Sequence, residues 1–389
     1  MLHFKYFILC LFLISSTIAL GQLKLGDEQI DKYINTLQGK RVGVVVNQTS
    51  MIGDMHLVDT LSRLGINIVK IFAPEHGFRG DAEAGAHINS TVDKATGVEI
   101  VSLYGKNYMP TVQDMAKIDI LVFDVQDVGT RFYTYLSTLH YVMQACADNK
   151  KPLLLLDRPN PNAFYIDGPI LESKYKSFVG LHPIPIVYGC TLAEMAKMIN
   201  GEKWLDKKKQ CKLIVIPCTG YNHSMAYNSP IPPSPNLRSL ESVYLYPSLC
   251  LFEGTNVSVG RGTDQAFECI GVPKFAAGNY SFTPRVIKGR AENPPYLNVE
   301  CNGFLLKDFA MQFIRFNNQL YLDFLIGFYK NDVKKDAFFN SFFDKLAGTA
   351  SIRQMIIAGK DAKQIRESWQ LGIYKYKKIR LKYLIYPEK

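Results

Sequence analysis

Apolar and polar positions fall into two patterns along this chain. From residue 22 onward, short runs that are apolar throughout alternate with longer stretches that are apolar on one helical face. "RVGVVVNQTS", "INIVKIFAPEHG", "IDILVFDVQDVG", "KPLLLLDRPNP" and "CKLIVIPCTG" carry runs of the first kind. Continuous apolar runs of strand length predict strands covered on both faces, as in a parallel sheet. "HLVDTLSRLG", closed by Gly65, and "TRFYTYLSTLHYVMQACADNK" have helical length and period. "TLAEMAKMINGEKWL" adds a third helix, with Thr191 and Glu194 spaced as a capping box. Strand and helix in alternation predict an α/β protein with a Rossmann-like layered parallel sheet.

The pattern changes after "YNHSMAYNSPIPPSPNLRSL", a stretch rich in Pro, Ser and Asn that predicts a long ordered loop or linker. Residues 22–240 form the expected first domain and residues 241–389 a smaller α+β domain. Helical segments close the second part, including "MQFIRFNNQLYLDFLIGFY" and "SIRQMIIAGKDAKQIRESW". The last segment, "IYKYKKIRLKYLIYPEK", alternates Ile379, Leu381 and Tyr383 with Arg380 and Lys382, which predicts a half-buried final strand.

The first 21 residues stand apart. "ILCLFLISSTIAL" is apolar, follows His3 and Lys5, and ends in Ala19-Leu20-Gly21 before Gln22, as a secretory leader does. Cys10 lies inside the apolar stretch and not after it, so a lipid anchor is not expected. No later segment has the roughly 18 uninterrupted apolar residues that a membrane span needs. The expected mature protein is exported, periplasmic, and has no stable span.

Composition narrows this only a little. With 47% hydrophobic and 21% charged residues the chain is that of a globular protein, and the 12% aromatic content suits sugar stacking and ordinary cores alike. A formal charge of +10 raises the question of nucleic acid, but the basic residues are scattered and the densest cluster is the expected strand, so no nucleic-acid partner is expected. Cys146, Cys190, Cys211, Cys218, Cys250, Cys269 and Cys301 show no zinc spacing and sit mostly in apolar runs.

Ligands of open α/β sheets bind at the carboxyl ends of the strands. Here those ends are polar in every case. The first strand ends in Asn47, Gln48 and Thr49, and the second delivers Glu75 and His76, with Arg79 just beyond. The third delivers Asp124, Gln126 and Asp127, followed by Arg131, and the fourth Asp157, Arg158 and Asn160. Parallel strands bring such ends into one crevice. No G-x-G-x-x-G or Walker loop follows the first strand, no H-E-x-x-H is present, and the six histidines of the mature chain are dispersed, so neither cofactor nor metal is expected. The serine-hydrolase elbow G-x-S-x-G is also missing. Carboxylates, amides, arginines and aromatics remain, a set that fits glycosidic bond cleavage.

Five segments, "FAPEHGFRG", "FDVQDVGTRFYTY", "LLDRPNP", "EGTNVSVGRGT" and "AGKDAKQIRESW", together resemble the exo-β-N-acetylmuramidase family, over essentially the whole chain from about residue 40. The resemblance implies an exo-acting glycoside hydrolase that removes N-acetylmuramic acid from the non-reducing ends of peptidoglycan fragments. It also implies a Rossmann-like domain, an auxiliary C-terminal domain and a site in the cleft between them. The glutamate of the family's P-E-H-G motif, its proposed acid, corresponds to Glu75. For the second group two readings stand: Asp124 or Asp127 as nucleophile or base, or attack by the substrate's own 2-acetamido group with a carboxylate in support. The lactyl carboxylate of muramic acid favours a bidentate arginine, for which Arg131 and Arg261 are candidates. His76, Gln126, Asp157, Asn160 and Asn256 complete the candidate substrate contacts, and Tyr133 and Tyr135 are candidates for packing on the sugar. A non-catalytic muropeptide- or glycan-binding protein on the same scaffold is the alternative.

Overall fold

The computed structural model describes residues 22–78 and 91–389. The leader-like segment and Arg79 lie outside the described residues. The chain enters through helix α1 (Ile30–Leu37) and strand β1 (Arg41–Val46), then a two-residue hairpin, β2 (Met51–Ile52) and β3 (Met55–His56), and helix α2 (Leu57–Arg63). Strands β4 (Asn67–Ala73), β5 (Thr91–Val92) and β6 (Glu99–Ser102) follow, then helix α3 (Val112–Ala116) and strand β7 (Ile120–Asp124). Helix α4 (Tyr135–Asp148), strand β8 (Leu153–Leu156), helix α5 (Leu192–Gly201) and strand β9 (Leu213–Ile216) complete the large sheet.

Its strand order is β5-β6-β4-β1-β7-β8-β9, with every pairing parallel except the β5 edge. Chain order runs outward from β1 in one direction through β4 and β6, then restarts at β7 and runs through β8 and β9. The sheet therefore has a Rossmann-like switch point between β1 and β7. Pleating decides which core each residue joins. Val42, Val44 and Val46 face one core with Leu57, Val58 and Leu61 of α2, while Val45 faces the other with α4 and α5. The predicted capping box at Thr191 and Glu194 is present, with each residue's side chain bonding the other's backbone.

The second part carries a three-stranded antiparallel sheet, β10 (Cys269–Val272), β12 (Cys301–Leu305) and β11 (Tyr280–Phe282) in that order, among short helices. The core on the α4 side of the large sheet continues without a break into this part, from Val45 through Phe252, Phe343 and Tyr376. The architecture is the α/β fold expected, with one correction at the end of the chain. The basic C-terminal segment is a helix, Gln370–Arg380, and not a strand. Its buried positions Ile373, Tyr376 and Arg380 follow helical spacing, and the alternation at residues 379–383 is too short to oppose it. All seven described cysteines are buried thiols. Among the described residues, no helix is long and apolar enough to cross a membrane.

Candidate active site

Strand β4 ends at Ala73, and the chain turns at once. Pro74 accepts a hydrogen bond from the Gly77 amide at 3.0 Å, and His76 and Gly77 both take left-handed backbone angles, φ 73° and 82°. A histidine in that region costs on the order of 1 kcal/mol and persists where surrounding structure holds it. The turn sets the Glu75 side chain, only 8% exposed, into the wall of a cavity of about 370 Å³. Thr134 Oγ1, immediately before α4, donates to Glu75 Oε2 at 2.6 Å. The Tyr104 hydroxyl, beyond the end of β6, also bonds the Glu75 side chain; burial first and that carboxylate second push the Tyr104 phenol well up.

His76, Phe132 and Tyr133 lie beside Glu75 in the cavity wall, and Ser234 and Asn236 come from the Pro-rich loop. That loop is tied to the sheet edge: Gln48 Nε2 donates to the Pro232 and Pro233 carbonyls, and the Tyr133 hydroxyl donates to Pro233 at 2.8 Å. The second part supplies Glu253, Arg261, Phe267, Phe342 and Leu346. The site is therefore a cleft between the two parts, closed by both. Tyr108 and Phe178, stacked at 4.1 Å between ring centroids, form an aromatic side to the same cavity.

Of the described polar residues at the strand ends, Glu75 and His76 line this cavity, where Arg261 of the second part joins them, and the others stay out of its wall. Asp124 is fully buried and held by Arg158, whose Nε and Nη2 reach its two oxygens at 2.5 and 3.0 Å; the same Nη2 also bonds Asp27. Asp127 accepts from the Gly129 amide at 2.6 Å and the Tyr188 hydroxyl at 2.5 Å, and burial raises its pKa to about 7. Gln126 spans the Asp127 and Pro159 carbonyls. Asp157 caps the start of α5 through the Ala193 amide and accepts from the Tyr386 hydroxyl at 2.6 Å. Asn160 bonds the Cys190 carbonyl and packs so tightly on Gly129 that a Cβ there would meet its Oδ1 at 2.1 Å.

Two expected contacts from elsewhere are also structural. Arg131 sends its Nη atoms to the carbonyls of Pro169, Ile184, Leu346 and Ala347, buried and with no carboxylate among these partners. Asn256 donates to Asp332 at 2.6 Å. Tyr133 lines the cavity as expected, whereas Tyr135 lies behind it, taking a hydrogen bond from Asn47 at 2.9 Å. The physical reason is common to those at the sheet edge. The crevice over β1 and β7 is filled by the chain's own loops, so its polar residues satisfy buried backbone groups or pair with one another. The open space lies to one side, past the ends of β4 and β6.

Glu253 is the residue the motifs passed over. It stands first in "EGTNVSVGRGT", eight positions before Arg261, and its Oε1 accepts from Arg261 Nε at 2.5 Å. Tyr104, Tyr108 and Phe178 carried no sequence signal, because Phe178 reaches the cavity from a loop far along the chain from the other two.

Comparison with known proteins gives the family. Residues 42–241 match the N-terminal family model of the exo-β-N-acetylmuramidase NamZ, and residues 244–386 match its C-terminal counterpart. The chain belongs to the NamZ family. That makes it a glycoside hydrolase. It is 37% identical to the peptidoglycan β-N-acetylmuramidase NamZ of Bacillus subtilis (strain 168), over 92% of this chain and 90% of the relative. Two crystal structures of DUF1343 family proteins from Bacteroides fragilis NCTC 9343 share the fold. One is 46% identical with a TM-score of 0.88, the other 28% identical with a TM-score of 0.79, each covering 94% of this chain and 99% of its own.

Proposed function

We propose that the protein is an exo-acting glycoside hydrolase that releases N-acetylmuramic acid from the non-reducing ends of peptidoglycan fragments, with Glu75 as general acid. The observation that carries this is the placement of Glu75: a nearly buried carboxyl, oriented by Thr134, in the wall of a cavity that also holds Arg261. The acid gives its proton to the glycosidic oxygen as the bond to C1 breaks. Arg261 takes the lactyl carboxylate, and aromatic faces such as Tyr133 pack on the sugar.

The second group follows from what is engaged elsewhere. Asp124 is held by Arg158, and Asp127 by Tyr188 and Gly129, both outside the cavity wall. Glu253, the other carboxylate in the wall, is committed to Arg261. This favours the substrate's own 2-acetamido oxygen as the group that attacks C1. We read the leader-like first 21 residues as an export signal, which puts the reaction outside the cytoplasm.

The test is turnover of a chromogenic N-acetylmuraminide by the wild type and by Glu75→Gln. Loss of a general acid costs about 10²–10⁴ in rate. A leaving group as acidic as dinitrophenol departs without a proton, so Glu75→Gln should recover most of its rate on that substrate. Equal losses on both substrates would remove Glu75 from the acid role.

A further inference from the structure

Glu253 lies at the end of a short helical turn, Cys250–Gly254, with each of its acceptor groups engaged. Its Oε1 accepts from Arg261 Nε at 2.5 Å, its Oε2 takes the Cys250 thiol at 3.7 Å, and its carbonyl takes Asn340 Nδ2 at 3.3 Å. Arg261 is constrained in its turn. Gly260 and Gly262 on either side have φ 74° and 83°, and a Cβ at Gly260 would meet Cys269 Sγ at 2.6 Å. The guanidinium lies 5.0 Å from the Phe267 ring centroid, and Phe267 itself holds a left-handed φ of 59°.

With Nε occupied by Glu253, neither Nη of Arg261 makes a hydrogen bond among the described residues. The pair of Nη groups is the end of the fork that matches the two oxygens of a carboxylate. We propose that Glu253 is a positioning residue that aims this end of Arg261 into the cavity, and so sets the preference for a sugar bearing a carboxylate over the same sugar without one. The proposal rests on the function given above, since it names how that substrate is selected.

Two effects of Glu253 oppose one another. Its negative charge repels an incoming carboxylate, while its grip on Nε removes the rotamer freedom that a long side chain otherwise loses on binding. The short contact and the stacking on Phe267 favour the second, because a guanidinium fixed before binding keeps its Nη pair where the ligand arrives.

Titration calorimetry of free N-acetylmuramic acid and N-acetylglucosamine tests this on wild type, Glu253→Gln and Glu253→Ala, with steady-state kinetics on the chromogenic muraminide alongside. Glu253→Gln keeps an acceptor for Nε and should weaken N-acetylmuramic acid by about threefold, and Glu253→Ala by about tenfold or more. N-acetylglucosamine should shift by less than about twofold, and the kinetic loss should fall on KM and not on kcat. Equal weakening of both sugars, no change in either, or tighter binding of N-acetylmuramic acid would each overturn the positioning role. If Glu253→Ala does not fold, Glu253→Gln alone carries the comparison, its melting temperature serving as the check. A wild type that prefers N-acetylmuramic acid yet leaves the muraminide intact would sink the hydrolytic function and leave this inference standing.

Discussion

Thr134 Oγ1 donates to Glu75 Oε2 at 2.6 Å, and this contact joins the loop after β4 to the residue that precedes α4. The carboxyl is thereby fixed from a second element, and both partners are buried. Thr134→Val keeps the shape and removes the donor. It should lower kcat on the muraminide by about tenfold, the worth of one buried hydrogen bond to the carboxylate that forms as the proton leaves, with little change in KM. Thr134→Ser should keep most of the rate. Steady-state kinetics on the three proteins decides it, and a Val variant as active as wild type would show that the acid needs no such support.

Arg131 leads to a prediction about stability. Its Nη groups hold four carbonyls, two of them at Leu346 and Ala347 in the second part and two at Pro169 and Ile184 in the first. Leu346 lines the candidate cavity beside Glu75, so the guanidinium also fixes part of its wall. Arg131→Met should destabilise the fold by about 3–5 kcal/mol, because it leaves buried acceptors without donors. Arg131→Lys cannot span all four carbonyls and should lose nearly as much. Urea unfolding measures both; a loss below about 1 kcal/mol would mean that water replaces the guanidinium at little cost.

Much of this architecture was legible in the chain. All five apolar runs became strands, because a strand buried on both faces tolerates little besides apolar residues. Glu75 and Arg261, which share one cavity, were legible as candidates, one from its place after a strand and both from family motifs. Asp124 and Asp127, expected as catalytic carboxylates, and Asp157 and Asn160, expected as substrate contacts, lie outside the cavity wall for a specific reason. The edge of a parallel sheet needs polar side chains to cap helices and satisfy loops, and the same residue types build active sites. Only the packing of the Pro-rich loop over β1 and β7 separates the two roles. Phe178 meets Tyr104 and Tyr108 across a long separation in sequence, and Glu253 is marked only by its contact with Arg261. Periodicity carries no information about either.

Asp127 makes a prediction about pH. Its pKa is raised from 3.8 to about 7 by burial, against the opposing hydrogen bonds from Tyr188 and Gly129. No cation is among its hydrogen-bond partners, and Oδ2 is unpartnered among the described residues. Because the folded carboxyl binds its proton more tightly than the unfolded one, its contribution is fully present below about pH 4 and is lost as pH rises through about 7. Asp127→Asn keeps the two accepted hydrogen bonds and never ionises. It should therefore gain on the wild type by on the order of 2 kcal/mol between pH 5 and pH 7. Urea unfolding at the two pH values gives the difference directly, and parallel curves for the two proteins would show that Asp127 is ionised in the fold throughout.

His140 and His182 act in the opposite sense. His182 Nε2 lies 3.1 Å from His140 Nδ1, so one ring donates and the other accepts, and His182 also stacks on Trp204 at 5.1 Å. Burial holds both rings below the ordinary value of 6.5, His140 at about 4 and His182 well below. Lys176 acts on both in the same direction, and Asp206 opposes it at His140. A ring that resists protonation in the fold but accepts it when unfolded stabilises the protein above pH 6.5. That stability is lost as pH falls from 6.5 towards 4. Each ring contributes on the order of 2 kcal/mol between pH 6.5 and pH 5. His182→Phe removes one titrating ring and keeps the stacking on Trp204. It should be less stable than wild type at pH 7, where His140 loses its partner, and should close the gap as the buffer is taken to pH 5. A constant difference between the two proteins across that range would place the acid sensitivity of the fold elsewhere, in carboxylates such as Asp114, which Lys70 holds at 2.8 Å.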